Sequence, residues 1–263
     1  MKVGISTASL FMRLYNEDAV ALISEWGAET SEVFLTSFCE YEPRFAKTLA
    51  QKKGKLHVNS VHVLNTQFEP QLFSAHPRVR ADAYAFLDKV TESARILGAT
   101  NYTFHGLARL KSTFKENLVK SGKGLEEISD YCAKRGITLC LENVEWALYN
   151  RAGVFKELKK HCPALKGVLD IKQAMISGCP YEDYLDDMGE NLAYVHASDF
   201  DLSGKKCLPG RGVFDFEELF KRLHGSGFDG AVIIENYNDD FEELKELKDS
   251  YGYLLEKAEK IFR

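Results

Sequence analysis

The feature that most constrains this chain is a repeated change of period. Short apolar runs rich in β-branched residues give way, again and again, to longer stretches whose apolar residues recur at three- and four-residue steps. Strands are expected at Val3–Thr7, Glu32–Leu35, His57–Val63, Asn101–His105, Thr138–Glu142, Gly167–Asp170, Ala193–His196 and Ala231–Glu235. Helical stretches between and after them include Asp18–Trp26, Arg78–Leu97, Leu125–Lys134, Phe216–Leu223 and Glu242–Phe262. Within Arg78–Leu97, the residues Ala81, Ala85, Leu87, Val90, Ala94 and Leu97 form an amphipathic pattern. Gly98, Gly136 and Gly227 stand where helices should stop before the next strand.

Eight β-then-α units with no Pro/Gly/Ser-rich linker fit one (β/α)8 TIM barrel, an α/β single domain over residues 1–263. The competing architecture is a doubly wound open sheet, which calls for a Gly-rich phosphate turn after the first strand. ISTASLFMRL contains no such turn, and the SGKG at Ser121–Gly124 falls in a helical region without Walker spacing. The barrel is the better fit.

Composition narrows the function. Apolar residues make up 45% of the chain and aromatic ones 12%, ample for a core. The net charge is −5 and no long Lys/Arg run occurs, which disfavours a nucleic-acid partner. The six cysteines (Cys39, Cys132, Cys140, Cys162, Cys179, Cys207) lack CxxC or CxxxC spacing and read as reduced thiols. MKVGIST begins as a strand rather than a signal peptide, and no window approaches the roughly 20 apolar residues of a membrane span. A soluble, cytoplasmic protein is expected, with a homodimer as the default assembly.

The polar residues decide more. Side chains at the carboxyl ends of barrel strands converge on one mouth, where active sites are built. In order those ends offer Glu32, His62, His105, Glu142, Asp170, His196 and Glu235. Glu32 lies early in its strand, and a structural ion pair is an equal reading for it. His57 and His62 are five apart and point to opposite faces; His57 reads as structural and His62 as inward. Three carboxylates in a low-dielectric mouth repel one another and must bind protons, pair with bases or hold a cation. Glu142, Asp170 and Glu235 with the imidazole of His196 make a donor set for one divalent ion: Mn²⁺, Mg²⁺, Co²⁺ or Zn²⁺.

At these residues the chain resembles the xylose isomerase-like superfamily of metal-dependent barrels, which includes tagatose/psicose 3-epimerases, inositol-catabolism isomerases and dehydratases, hydroxypyruvate isomerase and endonuclease IV. SVHVL, FHGL, LCLENV, VLD, YVHASD, LPGRGVFDF and IIENY fall in the family's order along essentially the whole chain. The resemblance implies that Glu142, Asp170, His196 and Glu235 ligate a single metal. It implies that His62 and His105 touch substrate, or serve as extra ligands in the endonuclease branch. Two departures stand out. Many relatives carry His three residues after the Asp of the sixth strand, where LDIKQA has Gln173. The endonuclease branch has an Asp-x-His pair after the seventh strand, where DFDLSGKKCLPGRG has Cys207 nearby and no His. Both departures argue against a trinuclear cluster.

The expected activity is therefore metal-assisted isomerisation or epimerisation of a small sugar, sugar phosphate, polyol or keto-acid through an enediolate. Glu142 and Glu235 would move the proton. Arg211 in the turn-like LPGRG, Gln173, Trp146, His62 and His105 are the expected substrate contacts, with Phe11 a further candidate wall. An endonuclease IV-like phosphodiesterase, a dehydratase using the same metal, and a sugar-binding barrel without catalysis are the alternatives.

Overall fold

The computed structural model describes residues 1–64, 66–109 and 117–262. Among these residues, eight parallel strands close on themselves: β1 (Lys2–Ser6), β2 (Thr30–Leu35), β3 (His57–Val63), β4 (Asn101–Phe104), β5 (Thr138–Glu142), β6 (Lys166–Asp170), β7 (Leu192–Ala197) and β10 (Ala231–Ile234). Each pairs with its neighbour in chain order, and β10 returns to β1 with Lys2 opposite Ala231 and Ile5 opposite Ile234. A two-stranded antiparallel hairpin, β8 (Asp199–Phe200) and β9 (Lys206–Cys207), stands outside the barrel. The helices are α1 (Asn16–Glu25), α2 (Pro43–Lys52), α3 (Phe68–Gln71), α4 (Pro77–Leu97), α5 (Leu118–Ala133), α6 (Val154–Lys159), α7 (Ile171–Ile176), α8 (Tyr181–Met188), α9 (Phe216–Gly225) and α10 (Leu244–Phe262). This is the (β/α)8 barrel, and every expected strand is present with ends shifted by two residues at most.

Period-two alternation sorts the strand residues. In β5, Leu139 and Leu141 join the large core between barrel and helices, whereas Cys140 faces inward with Val168, Tyr194, Ala231 and Ile233. Those five fill the barrel interior below the mouth. The helix α5 begins seven residues before the expected Leu125. Asn117 caps it, its side chain accepting from the Lys120 amide at 2.9 Å. The glycines of SGKG serve contact rather than phosphate binding. A Cβ on Gly122 would lie 2.7 Å from His161 Cβ, and one on Gly124 would lie 2.6 Å from the Phe73 ring.

The seam between first and last strands is tied at the mouth by Arg13. Its guanidinium donates to the backbone carbonyls of Asn238, Phe241 and Glu242 and stacks on the Phe241 ring at 4.2 Å. No helix among the described residues is long and apolar enough to cross a membrane.

Candidate metal centre and active site

The end of β5 delivers Glu142, the end of β6 Asp170, β7 His196, and the residue after β10 Glu235. One donor atom from each of the four lies within 4.8 Å of all the others. All four are buried. Asparagines that follow the two glutamates explain the paired Glu-Asn of LCLENV and IIENY. Asn143 clasps the next strand, accepting from the Asp170 amide at 2.7 Å and donating to its carbonyl at 3.0 Å. Asn236 donates to the Cys207 carbonyl at 2.9 Å and so joins β10 to the outer hairpin.

The imidazole of His196 is oriented from both sides. Its Nδ1 faces the cluster, 3.0 Å from Glu142 Oε1, 3.2 Å from Glu235 Oε2 and 4.0 Å from Asp170 Oδ2. Its Nε2 faces Glu32 Oε1 at 3.2 Å. Glu32 is itself held by Ser60 Oγ at 2.8 Å and by the Thr103 hydroxyl. Glu32 is thus an ion-pair partner behind the ring, the arrangement by which carboxylates fix a metal-binding imidazole. His57 sits at the other end of β3, exposed, with Nδ1 2.8 Å from Thr30 Oγ1.

Electrostatics follow from burial and these contacts. Burial alone would raise the Glu142 carboxyl, but the hydrogen bond and charge of His196 hold it down at about 2. Glu235 is likewise held well below the usual range, burial being outweighed by His196 and Lys172. Burial pushes Asp170 up to about 7, with Lys172 opposing and Glu142 and Glu235 adding repulsion. Asp170 divides its labour. Oδ1 accepts from the Gln173 amide at 2.8 Å and caps α7, while the buried Oδ2 makes no hydrogen bond and lies 3.3 Å from Lys172 Nζ. Three carboxylates and an inward-facing imidazole nitrogen, converging from four strand ends, suit a hard or borderline divalent cation. Those four residues could hold one.

Around them lies a cavity of about 630 Å³, in the range of small-molecule pockets. His62, His105, Trp146 and Gln173 all line it, as does Phe11. His105 Nε2 is 3.3 Å from Glu142 Oε2, and its ring lies 4.6 Å from His62 and 5.4 Å from Trp146. Gln173 Oε1 accepts from the Glu145 amide at 3.1 Å.

Arg211 is the expected substrate contact that does not line this cavity. The reason is the turn. Both Oδ atoms of Asp199 are used to gather the loop's amides, from Gly210 and Gly212 at 3.0 Å and from Phe214 at 2.9 Å. A Cβ on Gly212 would lie 2.2 Å from the Phe200 carbonyl oxygen, so the chain turns tightly there. The Arg211 side chain is left half-exposed, 3.9 Å from Glu246. In the connection after β3, Asn65 lies outside the described residues, and Thr66 lines the cavity.

Two charged residues were missed by sequence reasoning. Glu69 in α3 is fully buried and accepts from Tyr102 Oη at 2.8 Å and from the amides of His105 and Gly106, with Oε2 3.5 Å from His105 Nδ1. Nothing in NTQFEPQ distinguishes it from a surface acid. Lys172 is buried in the site itself, Nζ 3.3 Å from Asp170 Oδ2 and 3.4 Å from Glu235 Oε2. Its signal was a cation two residues after a strand-end acid, in LDIKQAMI.

A family model of the xylose isomerase-like TIM barrel matches residues 20–257. The chain belongs to that family. Among curated sequences it is 24% identical over 260 residues to an uncharacterized protein of Mycobacterium tuberculosis, covering 89% of this chain and 88% of that one. It is 25% identical over 268 residues to an uncharacterized protein of Methanocaldococcus jannaschii, covering 95% and 89%. Its fold is similar to that of a D-psicose 3-epimerase from Clostridium cellulolyticum H10, at TM-score 0.79, 17% identity and 100% coverage of both chains. A D-tagatose 3-epimerase-like protein aligns at TM-score 0.80 and 22% identity, covering 100% of this chain and 98% of the other. An L-ribulose 3-epimerase aligns at TM-score 0.77 and 18% identity, covering 100% and 96%.

Proposed function

We propose that this family member is a metal-dependent isomerase or epimerase of a small sugar, sugar phosphate, polyol or keto-acid, acting by proton transfer beside a carbonyl through an enediolate. The observation that carries the reading is the convergence of Glu142, Asp170, His196 and Glu235 at the inner end of a cavity walled by imidazole and aromatic rings. The structural neighbours D-psicose 3-epimerase and L-ribulose 3-epimerase are consistent with it. One Mn²⁺, Mg²⁺, Co²⁺ or Zn²⁺ held by those four residues would polarise a substrate carbonyl.

The chain's own groups do the rest. Glu142, kept ionised by His196, accepts a proton through the oxygen that faces His105. Glu235, ionised at rest, takes a proton from water and as the second acid/base group delivers it to the planar carbon, while Glu142 releases its proton to solvent. Return from Glu235 to the opposite face inverts the centre, and transfer to the neighbouring carbon isomerises the substrate. His105, braced by Glu69, and His62 donate or accept at substrate hydroxyls, Gln173 orients them, and Trp146 and Phe11 wall off water. The partner is a small carbohydrate-like molecule rather than nucleic acid or membrane. We place the enzyme in the cytoplasm, as a homodimer.

The test is solvent deuterium uptake into a panel of keto-sugars and keto-acids. Chelated protein should show none, one of the four ions should restore it, and Glu142→Gln should bind the ion without exchange. Full exchange by that variant would remove the acid/base role. Two or three metals per chain with salt-dependent binding to abasic duplex would favour the phosphodiesterase instead.

A further inference from the structure

A buried ammonium in the middle of a ligand set is an unusual neighbour for a metal. Lys172 is 2% exposed, and its Nζ reaches two of the carboxylates that would ligate the ion. A protonated amine has three donors and no lone pair, so it cannot be a ligand itself. Nor is it ordinary packing, because long cationic side chains are almost never fully buried unless paired. Its charge is met by Asp170 Oδ2 at 3.3 Å and Glu235 Oε2 at 3.4 Å.

The surrounding charges ask for it. Glu32, Glu69, Glu142, Asp170 and Glu235 are all buried here, and Lys172 is the one buried lysine or arginine among the described residues. An aromatic ring shares in holding its head group. The Tyr237 ring centroid is 4.6 Å from Lys172 Nζ, and Tyr237 lines the same cavity. Lys206 occupies that ring too, Nζ at 3.9 Å, and is anchored 3.7 Å from Asp240.

We infer that Lys172 is a built-in counter-cation, which holds Asp170 and Glu235 together while no metal is bound and which a divalent ion must displace from them. This rests on the metal reading proposed above. Its consequence is twofold. The metal-free site stays assembled rather than springing open, and the affinity for metal is lowered because the ion competes with a resident positive charge. Lys172 is therefore a positioning residue whose removal should strengthen metal binding, the reverse of what loss of a merely structural residue does.

The experiment compares wild type with Lys172→Met, which keeps length and apolar bulk but removes the charge. Calorimetric titration of chelator-treated protein with Mn²⁺ should show the variant binding at least about tenfold more tightly, a difference equal to roughly 1.4 kcal/mol. Without metal, the variant should melt at least about 5 °C lower, and saturating Mn²⁺ should close the gap. Equal or weaker Mn²⁺ binding by the variant overturns the inference and leaves the proposed function standing. No Mn²⁺ binding by either protein overturns both. Should Lys172→Met fail to fold, Lys172→Met with Asp170→Asn is the second variant, with one fewer carboxylate to balance. Recovery of the fold in that pair supports the counter-charge, and continued failure to fold assigns Lys172 to packing and overturns it.

Discussion

The two levels of the barrel interior are built from the same strands and do opposite things. Cys140, Val168, Tyr194 and Ile233 form the lower level, and two residues further along the same faces come Glu142, Asp170, His196 and Glu235. The lower level is buried and does not ionise: burial pushes the Cys140 thiol and the Tyr194 phenol far up. The upper level is equally buried yet crowded with charge. The difference teaches how such a site can exist. Mutually repelling carboxylates cannot hold one another, so close packing beneath and ion pairs behind them must do so. Tyr194 links the two levels, its hydroxyl 2.6 Å from Thr103 Oγ1, which in turn bonds Glu32 behind His196.

That division can be broken from either side. The largest effect is expected in the upper level. Glu142→Gln should cut substrate deuterium exchange by at least about 10²–10⁴-fold while the circular dichroism spectrum stays that of the folded protein. Retained exchange would mean the level has no proton-transfer role. In the lower level, Ile233→Ala should cost about 2–5 kcal/mol in denaturant unfolding, yet exchange per folded molecule should stay near wild type. Activity lost in step with stability would show that the two levels are not separable. A third test adds metal. Mn²⁺ at about one hundred times its dissociation constant should stabilise the chelated wild type by about 2.7 kcal/mol, and Asp170→Ala should lose most of that gain in a thermal melt.

The smallest effect belongs to the foot of the barrel, far from the mouth. Partial desolvation lowers the pKa of the largely exposed His57, with Lys2 and Lys53 adding repulsion. A depressed imidazole favours the fold when neutral, so its contribution is present above the unfolded value of about 6.5 and fades as pH falls through the lower folded value. Unfolding midpoints measured from pH 7 down to 5 should decline slightly less steeply in His57→Gln than in wild type. An identical slope would remove the assignment.

The fold was legible because the strand cores carry β-branched runs and glycines such as Gly98 and Gly136, both at positive φ, end the helices. What was not legible is short or tertiary. The helices α7 and α8 and the hairpin β8–β9 are too brief to show a period, and α5 starts on a cap and two contact glycines rather than on apolar spacing. At the site, the strand-end rule named four residues that do come together, because a closed parallel barrel leaves them one place to point. Lys172 and Glu69 could not be placed that way. One follows its strand inside a helix, and the other enters from the four-residue helix α3. Arg211 lies off the cavity because its turn is organised by Asp199, a contact no local pattern announces.

The two-residue offset between apolar plug and charged rim also sets how the gene can drift. Inserting or deleting a single codon within β5, β6 or β7 would send each downstream acid or imidazole to the outer, helix-packed side and bring a leucine or valine into the mouth. Length variation among descendants of this chain should therefore collect in the connections and spare those three strands, even where their individual residues have been exchanged.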